Sequence, residues 1–443
     1  MAIKISDHFT FGRLLRYTAP TIVMTVFMSV YGIVDGLFVS NFAGKQAFSA
    51  LNLIYPLLMM LGAVGFMLGR GGSALVAKTM GEGDDERAQG LFSMIVYATL
   101  IIGVIGTCVG LIIVKPVAVF MGAEGELLQL STLYGHILCF SLPFLMLQQA
   151  CQSFFTTAGK PNVGLGVMIA AGCTNIALDA LLIAGFGWGL AGAATATALS
   201  QTVGGVVPLF YFGRKNSSTL KLGRPIIDMR AFGKACVNGV SELVSNLAMS
   251  LVSMVYNYQL MRFYGADGVA AYGVIEYVVW IFLSVYMGYA TGAAPIISYH
   301  YGAKHKDELK NLFRLCLVTI GAGAVVIELL GQLSARPFAM IFVGYDEELL
   351  ELTTTALHTY MVMFLLAGFS IFGSSFFTAL NNGVVSAIIS FVRTLGFECL
   401  CVLILPAIFG AGAIWYSIIV AECASVALTT VFLVALHDHY GYA

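Results

Sequence analysis

Ser153-Phe154-Phe155-Thr156 recurs as Ser375-Phe376-Phe377-Thr378, 222 residues further along a chain of 443. At an offset of 221, Gly44 falls on Gly265, Gly81 on Gly302, Leu91-Phe92 on Leu312-Phe313 and Gly189 on Gly410. A constant offset of half the chain length marks an internal duplication. The halves meet at Arg214-Lys215-Asn216-Ser217-Ser218, the most polar internal stretch. The reading is an N-lobe over 1–213, a linker over 214–231 and a C-lobe over 232–443.

Each half is built for lipid. Hydrophobic residues make up 59% of the chain and charged residues 10%, against about 25% charged in a soluble domain. The mean hydropathy is +0.90. Only helices or closed barrels satisfy their backbone inside a bilayer. The apolar runs are continuous, whereas barrel strands are about 10 residues long and alternate. Spans 1 to 6 are expected over 14–40, 49–79, 90–114, 127–158, 163–186 and 190–213. Spans 7 to 12 follow over 232–262, 269–299, 311–334, 349–380, 384–407 and 411–436. The fold class is therefore all-α and integral to the membrane, with twelve transmembrane helices in two homologous six-helix lobes. Six is even, so both halves enter from one side, and the pseudo-two-fold axis runs along the membrane normal.

Of the Lys and Arg residues in the loops and at span ends, sixteen fall on one side and four (Lys45, Lys115, Arg262, Arg336) on the other. The positive-inside rule then puts both termini and the linker in the cytoplasm of a multi-pass inner-membrane protein. No cleavable signal peptide is evident, because the run from Leu14 to Phe42 is too long for one. The net charge of −1 argues against a nucleic-acid partner. The nine cysteines lie in apolar segments and read as core residues, with no metal site. No Gly-x4-Gly-Lys-[Ser/Thr] loop, Gly-x-Ser-x-Gly or His-Glu-x-x-His motif is present, which argues against an ATP-driven pump and an intramembrane enzyme. Two bundles that rock about a central cleft form a transporter.

Ionisable groups within spans are costly and default to functional candidates. Asp35 lies deep in span 1, in Val34-Asp35-Gly36. Asn175 and Asp179 are i and i+4 in span 5 and share one face. Thr195 and Thr197 lie in span 6. These oxygens can share a proton, because two close carboxylates cannot both ionise cheaply, or they can hold Na⁺. The alternative is that each polar group joins neighbouring helices. Glu276, Arg393, Glu398 and Glu422 read as a C-lobe polar network, with Arg393 and Glu398 poorly placed to pair with each other. Arg70 can snorkel to an interface, and Glu328 is near enough to a span end to reach water. His136 and His358 are repeat-related and read as polar core. Seven acids against two bases within the spans suit a cationic cargo better than the pyrophosphate of a lipid-linked precursor. Tyr31, Tyr55, Tyr134, Phe154, Met254 and Tyr277 are the candidate aromatic and thioether contacts for it. Pro20 lies four turns before Asp35 and permits a bend in span 1.

Helix 1 carries Pro20, Val34-Asp35 and Gly44, and helix 2 ends Gly65-x3-Gly69-x2-Gly72-x8-Gly81. Helix 5 has Asn175-x3-Asp179, and helix 6 opens Gly189-Leu190-Ala191-Gly192-Ala193-Ala194 and closes with Gln201. This pattern resembles the multidrug and toxic compound extrusion (MATE) family, in particular its bacterial branches, over about Phe11 to Val434. The resemblance implies antiport in which a proton or Na⁺ enters while small amphipathic, mostly cationic compounds leave, and the N-lobe acid pair with no acid inside helix 10 favours H⁺ over Na⁺. It places the coupling site at Asp35, Asn175, Asp179 and Thr197, and Glu242 of helix 7 at the central cavity. It implies a monomer with no cofactor beyond the transported ion. The alternative is a lipid-linked precursor flippase or metabolite exporter of the same fold. Helix 10 has no acid beyond Glu351, and Asp35 and Asp179 fall on Tyr256 and Cys401 under the repeat, so coupling is expected to centre on the N-lobe.

Overall fold

A computed structural model describes residues 3–442, without the side chains at 37, 40, 41, 45 and 266. Lys45 of the charge comparison is therefore outside the described side chains. The first six helices are α1 (Phe11–Phe38), α2 (Lys45–Gly81), α3 (Asp85–Phe120), α4 (Gly125–Thr157), α5 (Pro161–Asp179) and α6 (Gly189–Gly213). The second six are α7 (Met229–Gly265), α8 (Asp267–Gly302), α9 (Lys306–Val343), α10, α11 (Gly383–Phe409) and α12 (Ala411–Tyr440). α10 is a broken span, Glu347–Met361 and Phe364–Ala379, bent by 49°. Counting it as one gives twelve candidate crossings among the described residues.

The repeat is visible in the backbone. Gly44 separates α1 from α2 with φ +89°, and its counterpart Gly265 separates α7 from α8 with φ +64°. Both sit in the region that glycine enters without steric cost. α3 and α9 run further than the apolar patterns at 90–114 and 311–334 suggest. Their extra turns carry Asp85, Glu86 and Arg87 in one helix and Asp307, Glu308 and Lys310 in the other, which belong in water. At about 1.5 Å per residue these helices outreach a ~30 Å hydrocarbon layer, so their ends project beyond it.

The connection between the lobes occupies 214–228 and lies back on α3. Ile226 donates its N–H to the Gly90 carbonyl at 3.2 Å, and the Gly223 N–H reaches Ser93 Oγ at 3.0 Å. Asp228 caps α7 through the N–H groups of Arg230 and Ala231 and pairs with Arg87 at 3.2 Å. On the same end the segment before α1 is strapped across to the other lobe. Glu308 of α9 accepts the Phe9 N–H at 2.9 Å and meets His8 Nδ1, and Asn311 donates to the Phe9 carbonyl at 2.8 Å. Tyr442 is buried there against Phe313 and Phe376, so both described ends of the chain lie together.

The lobes meet at this termini-bearing end. Gly81 of α2 abuts the Tyr299 carbonyl of α8, and its repeat counterpart Gly302 abuts the Lys78 carbonyl of α2. Gly239 of α7 lies against the Met67 carbonyl, and Gly71 against that of Ala235. α1 packs Thr18, Thr21 and Thr25 on Gly288 and Gly292 of α8, and Thr25 Oγ1 donates to the Ser284 carbonyl at 2.7 Å. Small residues let backbones approach this closely without a hydrophobic driving force. Toward the other end Tyr55, Met254 and Tyr277 are exposed, at 43%, 61% and 39%. The two bundles therefore diverge away from the termini and leave a cleft between them.

Candidate functional site

The N-lobe site grows from one missing side chain. Gly172 of α5 takes the Phe27 and Tyr31 rings of α1 against its bare backbone. One turn further along α1 comes Asp35, and one and two turns along α5 come Asn175 and Asp179. The crossing thus brings the two carboxyl groups into one buried region between α1 and α5. Asp179 and Asn175 are buried, and Asn175 Nδ2 donates to Thr197 Oγ1 of α6 at 3.4 Å. Thr195 turns its hydroxyl to the Ala191 carbonyl of its own helix at 2.7 Å, so Thr197 is the threonine that faces the group.

Both acid-bearing helices change winding beside their aspartates. α1 runs on as a π-helical turn at Val39–Ala43, and α5 at Ala180–Gly185 directly after Asp179. Such turns loosen the ladder and recur at functional sites. With both carboxyls ionised the cluster is short of donors. Asp35 Oδ1, both Asp179 oxygens and Asn175 Oδ1 are buried without a hydrogen-bond partner. One proton between the two acids turns their contact into a hydrogen bond.

Tyr31 and Tyr55 lie on the same side of the N-lobe as Asp35, whereas Tyr134, expected to meet cargo, is buried in the N-lobe core. Tyr277 approaches Tyr55 from the C-lobe and stacks on Phe342 with centroids 5.8 Å apart. Met254 is exposed on α7. Phe154 is placed otherwise than expected: it is fully buried within the N-lobe, edge-on to Phe92 at 4.9 Å, and reaches no cleft. Its counterpart Phe376 is equally buried, which makes the repeated Ser-Phe-Phe-Thr a packing motif. Pro20 lies inside α1, which continues through it.

Arg70 corrects another expectation. It does not snorkel to an interface but binds Glu242 across the cleft floor, Nη1 to Oε1 at 3.0 Å, with 14% and 19% of the side chains exposed. This ion pair joins α2 of one lobe to α7 of the other. In the C-lobe Arg393 directs Nε and Nη2 to Glu422 Oε1, at 2.8 and 2.6 Å, from a π-helical turn at Val392–Glu398. Glu398 sits in that same turn, and its field reaches Glu276. Glu328 does not turn to water: Oε1 takes Gln332 Nε2 at 2.7 Å and Oε2 is buried without a partner. Gln332 in turn meets His358 Nδ1 at 2.6 Å, while Nε2 of His136 is buried unpartnered. A cavity of about 160 Å³ opens in the C-lobe beside the Arg70–Glu242 pair and is bordered by Glu276, Arg393, Glu398 and Glu422.

The family model described as MatE matches residues 20–181 and again 243–402, one copy per lobe. The chain belongs to the MATE family. The MATE assignment makes it a membrane transporter of the multidrug-efflux class rather than an enzyme. A relative in Staphylococcus aureus (strain MSSA476), the multidrug export protein MepA, is 26% identical over 429 residues, covering 96% of this chain and 94% of its own. The MepA of Staphylococcus saprophyticus is also 26% identical over 429 residues. Among solved structures, a multidrug-resistance MATE transporter in an outward-facing conformation superposes with a TM-score of 0.93 at 21% identity, covering 98% of both chains. That likeness carries the MATE fold with its two six-helix lobes.

Proposed function

We propose that this chain exports small amphipathic, mostly cationic organic compounds by antiport against protons, through alternating access. The buried, donor-poor cluster of Asp35, Asn175 and Asp179 carries the reading. Two close carboxylates in a site short of donors cannot both ionise cheaply, which favours a shared proton. Asn175 and Thr197 orient the pair, and the π-helical turns next to it give both helices a place to rewind. Proton uptake from the open side then relaxes the pair, and bending of α1 at Pro20 passes the change toward the seam where the lobes meet. Rocking at the glycine seam closes the open side and parts the termini-bearing end.

The export function of the MepA relatives and the excess of acids over bases within the spans support the cargo class. The termini-bearing end, rich in Lys and Arg, is the cytoplasmic face of the cell membrane. One copy contains both lobes and works as a monomer.

Proteoliposomes loaded with a fluorescent cationic dye, given a pH gradient or a Na⁺ gradient separately, test this. Dye movement driven by the pH gradient alone, and lost in Asp35→Asn, is the expected result. Movement driven only by Na⁺ overturns the coupling ion. Movement under neither gradient, across several dyes, overturns drug export and favours a lipid-linked precursor or a metabolite.

A further inference from the structure

The linker between the lobes lies along the side of α3 that meets lipid. Tyr97, Ile101, Val104, Ile105 and Ile112 are exposed and fall on one side of that helix. Ser93 and Gly90 stand on the same side, one and two turns before Tyr97. Gly223 donates its N–H to Ser93 Oγ at 3.0 Å and accepts the Tyr97 hydroxyl at 3.4 Å. Ile226 lies flush on Gly90, where a Cβ would meet its side chain. In consequence Leu91, Phe92, Ser93, Met94, Ile95 and Val96 are all buried. Six successive residues point all round a helix, so the linker covers the side that the bilayer would otherwise cover. Tyrosines collect where the apolar core meets the headgroups. From Tyr97 back to Gly90 the helix rises about 10 Å, enough to cross a headgroup layer of roughly 5–8 Å.

The outer surface of this segment is apolar and basic. Ile227 and Met229 are 77% and 72% exposed, and Ile226 is partly so. Positions 214–234 hold six basic residues, Arg214, Lys215, Lys221, Arg224, Arg230 and Lys234, all exposed, against one acid, Asp228. Asp228 is spent on Arg87 and on the cap of α7. Among the described residues none of the six basic side chains forms an ion pair. Asp85 and Glu86 stand outward of Arg87, at the water end of α3. Arg214 lies 5.8 Å over the ring of Phe210, which is exposed on α6 with Leu199 and Val207. A long cationic side chain on an apolar ring at a span end holds its charge at headgroup depth.

We propose that the interlobe linker binds anionic phospholipid headgroups of the leaflet at the termini-bearing end. Arg224, Arg230 and Lys234 meet the phosphates, and Ile227 and Met229 sit among the upper acyl carbons. Apolar side chains and unpaired cations on one short segment are the two signals that hold it at an anionic interface. An acidic protein segment would match the charges, but it gives no reason for the linker to lie on the lipid-facing side of α3. The lipid contact is independent of the cargo and of the coupling ion.

Fluorescence quenching on the full chain in liposomes tests this. An NBD group is placed on Ile227→Cys, with the native cysteines replaced, and a second on Glu86→Cys at the outer end of α3. Doxyl-labelled phosphatidylglycerol or phosphatidylcholine is the quencher. The 227 probe is expected to be quenched by lipid, more strongly by phosphatidylglycerol, and less so at high salt. The 86 probe is expected to stay in water. One Lys or Arg beside an anionic surface is equivalent to about fivefold in affinity. Arg224→Gln is therefore expected to cut the phosphatidylglycerol preference about fivefold, Arg224→Gln with Arg230→Gln to cut it further, and Arg224→Lys to keep it. Quenching by phosphatidylcholine is expected to be the same in all of them, which shows that the linker still lies in place. A 227 probe quenched equally by both lipids overturns the headgroup site. A 227 probe as open to aqueous iodide as the 86 probe, in both lipids, overturns the anchor and leaves the basic surface to an acidic protein segment.

Discussion

Replacing Arg70 with methionine leaves Glu242 alone on the cleft floor, and the structure sets the size of the effect. The two groups are 3.0 Å apart with less than a fifth of either side chain exposed. At an effective dielectric near 20, the attraction at that distance is about 5 kcal/mol. Desolvation offsets much of it, but removing one partner of a desolvated pair costs ~3–5 kcal/mol, while removing both is close to neutral. The pair joins α2 to α7 where the lobes meet, so the cost is expected to fall on the conformation closed at the termini-bearing end. A shift of ~3 kcal/mol is roughly a hundredfold change in its population. Spin labels on exposed Glu86 of α3 and Lys310 of α9, with the native cysteines replaced, report the distance between the lobes at that end. Arg70→Met is expected to convert a single short distance into a mostly long one, and Arg70→Met with Glu242→Met to restore most of the short population. Single and double variants that all keep the wild-type distribution would refute the latch. So would a double variant whose effect is the sum of the two singles.

Gly239→Leu drives a side chain into the Met67 carbonyl, whereas nothing lies within 4 Å of Gly233 on the same helix. The same spin labels are expected to separate in Gly239→Leu and to stay unchanged in Gly233→Ala. Phe154→Ala removes a fully buried ring from the contact with Phe92 and is expected to cost about 3–5 kcal/mol of stability. The range of dyes exported should not change, since that ring touches no cleft. Arg393→Met strands Glu422 and should lower the melting temperature in detergent, and adding Glu422→Leu should recover most of the loss. Outside the membrane, the N–H groups of Ala231 and Arg230, with Arg87 nearby, hold the Asp228 carboxyl below its usual range. A lowered value means that its support for the start of α7 is present at neutral pH and is lost as pH falls through that value. Protection factors of the amides at 229–232, corrected for the intrinsic pH dependence of exchange, should fall in acid in the wild type and be low at every pH in Asp228→Ala.

The periodicity and the half-length offset made the two-lobe architecture legible because each follows from residues close in sequence or repeated along it. Asp35 and Asp179 stood out as ionisable groups where lipid forbids them, and Asn175 as the polar residue one turn from Asp179 on the same face. The interlobe contact of Arg70 with Glu242 was not. The two residues lie on different lobes, and no local pattern fixes which distant acid a buried arginine will meet. Phe154 was misread as a cleft residue although its repeat partner pointed the other way. A tetrapeptide kept in both halves reports what the halves share, which is packing, while cargo contact need be met only once. The π-helical turns at Val39–Ala43, Ala180–Gly185 and Val392–Glu398 leave no compositional trace. They arise where tertiary contacts outweigh the ideal ladder, so only coordinates disclose them.

Proton movement caused by cargo alone tests the central claim most directly. Proteoliposomes carrying a pH-sensitive dye in the lumen, in Na⁺-free buffer with no imposed gradient, receive a cationic substrate on one side. The account predicts a proton flux opposite to the cargo flux in the wild type and none in Asp35→Asn or Asp179→Asn. Cargo that crosses with no change in lumenal pH, or with the same proton flux in both variants, would contradict it.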